Sequence, residues 1–180
     1  IGFNHPKMHD ANFLAQRTRA ALVNPTCSDI YTTEMAEFVD TFGRIAKPSS
    51  MKYAFFVAGG ALGVENALKA AMDWKVRRNF AKGVKEEKGH QIIHFREAFH
   101  GRSGYTVSMT NTADPRKYQY FAKFDWPRVS NPGLRFPVTD AELERVKKAE
   151  AQTLSEVKAA FAANKDDIAA ILLEPIQAEG

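Results

Sequence analysis

Three short apolar runs constrain this chain more than any other feature. Residues 53–57 (Tyr-Ala-Phe-Phe-Val), 91–95 (Gln-Ile-Ile-His-Phe) and 168–173 (Ile-Ala-Ala-Ile-Leu-Leu) are rich in β-branched, aromatic and aliphatic side chains and are too short for helices. Each reads as a buried strand, the last as a fully buried, central one. The segments between them follow a different period. Val64, Ala67, Leu68, Ala71 and Met72 recur at helical spacing, as do Leu143, Val146, Val157, Ala160 and Phe161. The second series opens on Thr139-Asp140-Ala141-Glu142, the Thr-x-x-Glu spacing of a capping box. Strands alternating with helices predict a layered α/β domain.

Upstream, a helix is expected from about Asp10 to Val23, ending before Asn24-Pro25 because proline disfavours helix in the residue before it. Residues 24–29 carry turn chemistry. A second helix, capped by Thr32 or Thr33, puts Met35, Phe38, Val39, Phe42, Ile45 and Ala46 on one face. Residues 121–137, broken by Pro127, Pro132 and Pro137, read as a loop. No repeat or low-complexity tract is visible. Neither end has the pattern of a domain terminus, so the sequence reads as a piece of something longer.

Composition removes several function classes. Hydrophobic residues make up 44% and charged residues 26%, a globular mixture. The net charge of +4 argues against nucleic acid, because the basic run of Lys75, Arg77, Arg78, Lys82, Lys85 and Lys88 is interrupted by Glu86 and Glu87 and reads as a solvated helix end. Cys27 is the only cysteine, so neither an internal disulfide nor a zinc–thiolate site can form, in keeping with a reducing, cytoplasmic setting. The longest uncharged apolar stretch, residues 53–64, is too short to span a bilayer, so no membrane is expected.

Chemistry concentrates where apolar runs end. Gly59-Gly60-Ala61 stands between the first run and a helix. The first N–H groups of a helix lack internal partners and carry partial positive charge, and glycine lets an anion approach closely. That describes a phosphate seat, although a tight turn using glycine for geometry alone fits equally. A dinucleotide fingerprint is nearly matched by Ala58-x-Gly60-x-x-Gly63, but the acid after the next run, Glu97, lies well beyond the spacing required. After the second run, Phe99 can stack on a flat ring and Arg102 can clamp a carboxylate with two parallel hydrogen bonds, while His100 lies between them. Taken singly, these are as readily a packed Phe, a satisfied core His and a surface Arg. After the third run stands Glu174, a carboxylate that must be paired or used. In open α/β sheets ligands sit beyond the carboxyl ends of the strands, so three such ends are expected to assemble one site.

These residues match a family in order and spacing. Ala58-Gly59-Gly60-Ala61-Leu62-Gly63-Val64-Glu65-Asn66-Ala67-Leu68-Lys69, Phe99-His100-Gly101-Arg102, Phe124-Asp125-Trp126-Pro127 and Glu174-Pro175-Ile176-Gln177 resemble the class III aminotransferases, enzymes of fold-type I that use pyridoxal 5'-phosphate. Residues 98–112, with Asn24-Pro25 and residues 28–31, look most like the branch that acts on the ε-amino group of lysine; the 4-aminobutyrate and ornithine branches are the alternatives within the family. A non-catalytic domain that kept the fold is the alternative of another class.

The resemblance implies an α/β partial large domain with a mostly parallel sheet flanked by helices. Residues 1–50 would form a helical lead-in and residues 51–180 an incomplete cofactor-binding domain. Gly60 and Ala61 would bind the cofactor phosphate, and Ala61 would also lie at the substrate. Phe99 would stack on the ring with His100 beside it, and Glu174 would lie near the ring. Arg102 would take the carboxylate of L-lysine or 2-oxoglutarate. Glu179 would be the acid that pairs with a distant arginine and swings away for the second substrate. The Schiff-base lysine would lie outside this chain, so no catalytic residue is assigned within it and the chain alone is expected to be inactive. A homodimer is implied for the whole protein. Two departures stand out: Gly63 replaces a usual alanine, costing helix propensity of ~1 kcal/mol, and Ala178 replaces the usual glycine or serine before the acid.

Overall fold

The computed structural model describes residues 3–23 and 30–179. The turn expected at residues 24–29 lies outside them. The chain divides into two compact units, Ile1–Phe56 and Val57–Gly180.

The first unit holds two helices, each started by a side-chain cap. Asp10 accepts from the backbone N–H groups of Asn12 and Phe13 to open α1 (Ala11–Leu22), and Thr32 accepts from Met35 to open α2 (Thr33–Ile45). Arg19 of α1 pairs with Glu34 of α2 at 2.8 Å. The apolar face expected on α2 gathers Phe38 and Phe42 around Phe56, with centroids 5.0 and 5.2 Å apart. Neither helix has a buried residue.

The second unit is α/β. Helix α3 (Gly60–Ala81) leads to β1 (Gln91–Phe95), then come the short α4 (Gly104–Met109), β2 (Arg128–Val129), α5 (Asp140–Ala163) and β3 (Ile168–Leu172). The sheet has order β2-β1-β3 and is parallel throughout, with His94 opposite Arg128 and Ile93 opposite Ile171. Successive side chains of β1 face opposite ways. Ile92 therefore packs with Leu68 and Met72 of α3, Met109 of α4 and Trp126, whereas Ile93 packs with Val129, Ile168 and, from α5, Val157 and Ala160. Helices thus cover both faces of β1. Where the layers meet at the start of β1, buried Asn79 donates to the carbonyls of Lys88 and Asp166, both at 2.7 Å.

Three sequence expectations need correction. Residues 53–57 are not a strand: no β-ladder partner stands beside them among the described residues, and Tyr53 and Phe55 are exposed while Phe56 packs on α2. Of residues 168–173, Ile168–Leu172 form a strand, which stands at the sheet edge among the described residues, with Ile168 its only buried member. Ile171 on this strand and Leu173 just after it are exposed. Residues 121–137 are not loop throughout. Between Pro127 and Pro132, Arg128 and Val129 pair with β1, because the carbonyls of Pro127 and Val129 accept from His94 and Arg96. Proline lacks a donor but keeps its acceptor, which suffices on an edge.

Candidate active site

Helix α3 begins without a side-chain cap. Gly59 holds φ +92°, a conformation that glycine adopts without strain, and a Cβ added to Gly59 or Gly60 would meet nothing within 4 Å. The first internal bond runs from Gly63 N–H to the Gly59 carbonyl at 3.1 Å. The N–H groups of Gly60, Ala61 and Leu62 therefore have no acceptor within the helix.

The segment leaving β1 is bent back onto that helix start. Glu97 takes φ +62°, rare for a non-glycine residue, and turns the chain out of the sheet. Gly101 then approaches α3 so closely that a Cβ on it would lie 2.7 Å from the Ala61 Cβ and 2.7 Å from Thr106 Oγ1; its φ is +124°. Thr110 holds the bend, accepting from His100 N–H at 3.1 Å and donating to the Gly101 carbonyl at 2.7 Å. Glu65 of α3 accepts from Tyr105 N–H at 3.1 Å and so anchors the start of α4. Phe124 and Trp126 stack at 5.0 Å, with Tyr105 against both rings.

Glu174 joins the exits of β1 and β3. Its carboxylate accepts from Phe99 N–H at 2.8 Å and from Ala178 N–H at 3.3 Å. Phe99 is half-buried, and the Lys117 ammonium lies 5.7 Å from its ring centroid. Lys117 also pairs with Glu179. His100 is buried with its Nε2 unpartnered among the described residues; burial pushes its pKa down, against the opposing charge of Glu174. Behind it on β1, His94 is buried too, and its pKa falls to about 3 through burial and then the nearby Arg128 charge.

Gly60, Ala61, Phe99, His100 and Glu174 are thus linked by a continuous set of contacts, and Glu179 joins them through Lys117. Arg102 follows directly on Gly101, but no hydrogen bond among the described residues joins its side chain to that set. It is exposed and lines a cavity of about 350 Å³ with Ser103, Val107, Arg116, Lys117 and Phe121. No hydrogen bond among the described residues joins it to Glu174 or Glu179. Sequence reasoning missed Lys117, Glu65 and Thr110. Their partners lie 62, 40 and 10 residues away, and only Thr110, ten residues from His100, was close enough for spacing to have suggested it.

A parallel sheet whose strand exits converge on an uncapped, glycine-started helix is an architecture for holding a phosphorylated ligand. The family description "Aminotransferase class-III" matches residues 1–180, and the chain belongs to that family. Among named relatives, the L-lysine-epsilon aminotransferase of Mycobacterium tuberculosis is 46% identical over all of this chain and 39% of its own length. That of Streptomyces clavuligerus is 41% identical over the same shares. The structure matches the lysine aminotransferase from M. tuberculosis with a TM-score of 0.91 at 46% identity, covering 98% of this chain and 40% of that one. The chain therefore spans about two fifths of the relatives it matches, and its α/β fold is that of part of a fold-type I transaminase.

Proposed function

We propose that this chain is the cofactor- and carboxylate-seating part of a pyridoxal-phosphate-dependent aminotransferase that moves the ε-amino group of L-lysine to 2-oxoglutarate, giving 2-aminoadipate 6-semialdehyde and glutamate. The observation that carries the reading is the likeness, over the whole of this chain, to 39% of the length of L-lysine-epsilon aminotransferases at 41–46% identity. The uncapped start of α3 is the feature that fits the cofactor. Three N–H groups lack an acceptor within the helix there, and a phosphate would satisfy them and gain from the helix dipole.

Gly60 and Ala61 then bind the phosphate through their N–H groups, with Ala61 also flanking the substrate. Phe99 lies against the ring, and His100, kept neutral by burial, sits beside it. Pyridoxal phosphate, when bound, supplies the electron sink that amino-group transfer needs. Glu174 fixes Phe99 from behind through its backbone N–H. Arg102 takes a substrate carboxylate, and Glu179 is the mobile acid that lets one pocket accept two unlike substrates. No lysine of this chain is assigned the Schiff-base role. Residues 51–180 serve as the cofactor-binding domain, and the whole protein works as a cytoplasmic homodimer.

The test is an assay of the complete enzyme with each amine donor. Turnover of L-lysine above 4-aminobutyrate and ornithine is expected, and a preference for either of those ends the lysine assignment. Failure to acquire the visible absorbance of bound pyridoxal phosphate ends the enzyme reading altogether.

A further inference from the structure

Two segments carry the groups that the proposed reading assigns to phosphate and to substrate carboxylate: the start of α3, with Gly60 and Ala61, and the return segment after β1, with Arg102. They touch at two points. Gly101 lies so close to Ala61 that an added Cβ would fall 2.7 Å from the Ala61 Cβ. One helical turn further on, the Glu65 carboxylate accepts from Tyr105 N–H at 3.1 Å. Residues i and i+4 share a helix face. Ala61 and Glu65 therefore form one edge of α3, and residues 101–105 lie along it.

The two contacts differ in kind. Ala61 against Gly101 is close packing, which limits approach but resists separation or sliding only weakly. The bond from Tyr105 to Glu65 is directional, and among the described residues it is the one hydrogen bond between α3 and residues 101–106. Other bonds of the return segment stay on its own side: Ser103 N–H donates to Thr106 Oγ1 at 3.0 Å, and the Thr110 hydroxyl donates to the Gly101 carbonyl at 2.7 Å. Tyr105 N–H belongs to the first turn of α4, whose N–H groups lack acceptors within the helix. Glu65, half-buried and in no ion pair among the described residues, supplies that acceptor from outside.

We propose that Glu65 is a positioning residue for substrate: by tying the return segment to α3 it fixes the distance between the N–H groups of Gly60 and Ala61 and the guanidinium of Arg102. A carboxylate held by Arg102 is then presented at one set place relative to the phosphate seat. This rests on the aminotransferase reading above. Arg102 stands on the short span 102–104, pinned at one end by Gly101 on Ala61 and at the other by Tyr105 on Glu65. Its side chain is exposed and makes no hydrogen bond among the described residues, so the backbone beneath it decides where it stands.

The experiment uses the complete, cofactor-loaded enzyme and three substitutions. Glu65→Met keeps the reach of the side chain but has no acceptor oxygen, Glu65→Asp keeps the charge but is one methylene short, and Glu65→Gln keeps both reach and acceptor. Calorimetric titration with hexanoate, the carbon chain and carboxylate of L-lysine without its amines, reads the Arg102 contact; steady-state kinetics separate KM from kcat. Glu65→Met and Glu65→Asp are expected to weaken hexanoate about tenfold and to raise the KM for L-lysine by a similar factor, with kcat within about twofold and the absorbance of bound cofactor retained. Glu65→Gln is expected to stay within about twofold of wild type in every measurement. If Glu65→Met does not fold, Glu65→Asp carries the test. Unchanged hexanoate affinity in those two variants, cofactor loss in step with hexanoate loss, or Glu65→Gln as weak as Glu65→Asp overturns the role of Glu65 and leaves the aminotransferase reading standing. A wild-type protein that fails to retain pyridoxal phosphate overturns that reading, and the role of Glu65 falls with it.

Discussion

Two long helices of the second unit begin in opposite ways. At the start of α5, Thr139 accepts from Glu142 N–H at 3.2 Å. Glu142 does not close the reciprocal half of the expected box: its carboxylate takes Arg135 N–H and the Arg145 guanidinium. That helix start is capped by a side chain of the protein itself. At the start of α3, Gly59 offers no cap, and behind it His94 Nδ1 and His100 Nε2 are buried without partners among the described residues. A side-chain cap completes the helix start that only has to fold, whereas in the proposed reading a ligand completes the other.

The contrast can be broken most decisively at Gly60. Its Cβ position is clear of neighbours, so Gly60→Leu is expected to keep the unfolding midpoint. In the complete enzyme it should weaken cofactor retention by about 100-fold, the worth of one or two anion hydrogen bonds. Undiminished cofactor absorbance in that variant would remove the phosphate from α3. Next in size is Gly101→Ala, which forces a Cβ to 2.7 Å from Ala61 and Thr106 on a left-handed backbone. A loss of about 2–4 kcal/mol in urea unfolding is expected, and a loss below about 1 kcal/mol would mean that this contact is slack.

Acid separates the two ends further. The folded-state pKa of His94, about 3, lies below its ordinary value of 6.5. Between these values the unfolded chain binds the extra proton, so the contribution is fully present above pH 6.5 and is lost as pH falls from there toward 3. The slope should be about 1 kcal/mol per pH unit. Glu142, held at about 2 chiefly by Arg145, contributes above its ordinary value of 4.5 and loses that contribution only as pH falls toward 2. Unfolding followed from pH 6.5 to 4.5 therefore reports on the buried histidines, and His94→Leu should lessen the slope, with His100 supplying the remainder; a flat wild-type profile would place a partner on His94. The smallest effect belongs to the closed end. Thr139→Ala should cost about 1 kcal/mol, with cofactor retention untouched, and any change in retention would mean that the two helix starts communicate.

The parts of the fold legible in the sequence were those fixed by nearest neighbours. The first helix starts at about Asp10 as expected, Thr32 is the cap of the two threonines the sequence offered, β1 spans the run from Gln91 to Phe95, and α5 opens at Thr139. Residues 53–57 misled because an apolar run records only a preference for burial, and here that preference is met for Phe56 by two rings of α2. Strand β2 escaped notice because two residues carry no period, and its existence depends on acceptors offered to β1. In the candidate site, Gly59-Gly60, Phe99 and Glu174 could be singled out because each follows or precedes an apolar run. Lys117 could not, since nothing near it in sequence distinguishes it from Lys123, whose ammonium is absorbed by the carbonyls of Tyr118 and Phe121.

The sequence by itself determined the α/β class, the helix starts and the family, because these depend on local spacing and on side-chain types that a one-dimensional pattern preserves. Only the tertiary structure decided that Gly101 presses on Ala61, that Glu174 spends its carboxylate on Phe99 and Ala178, and that Glu179 meets Lys117. All but the Glu174–Ala178 bond span tens of residues, and their energies depend on distance and shielding from water, quantities that exist only once the layers have packed.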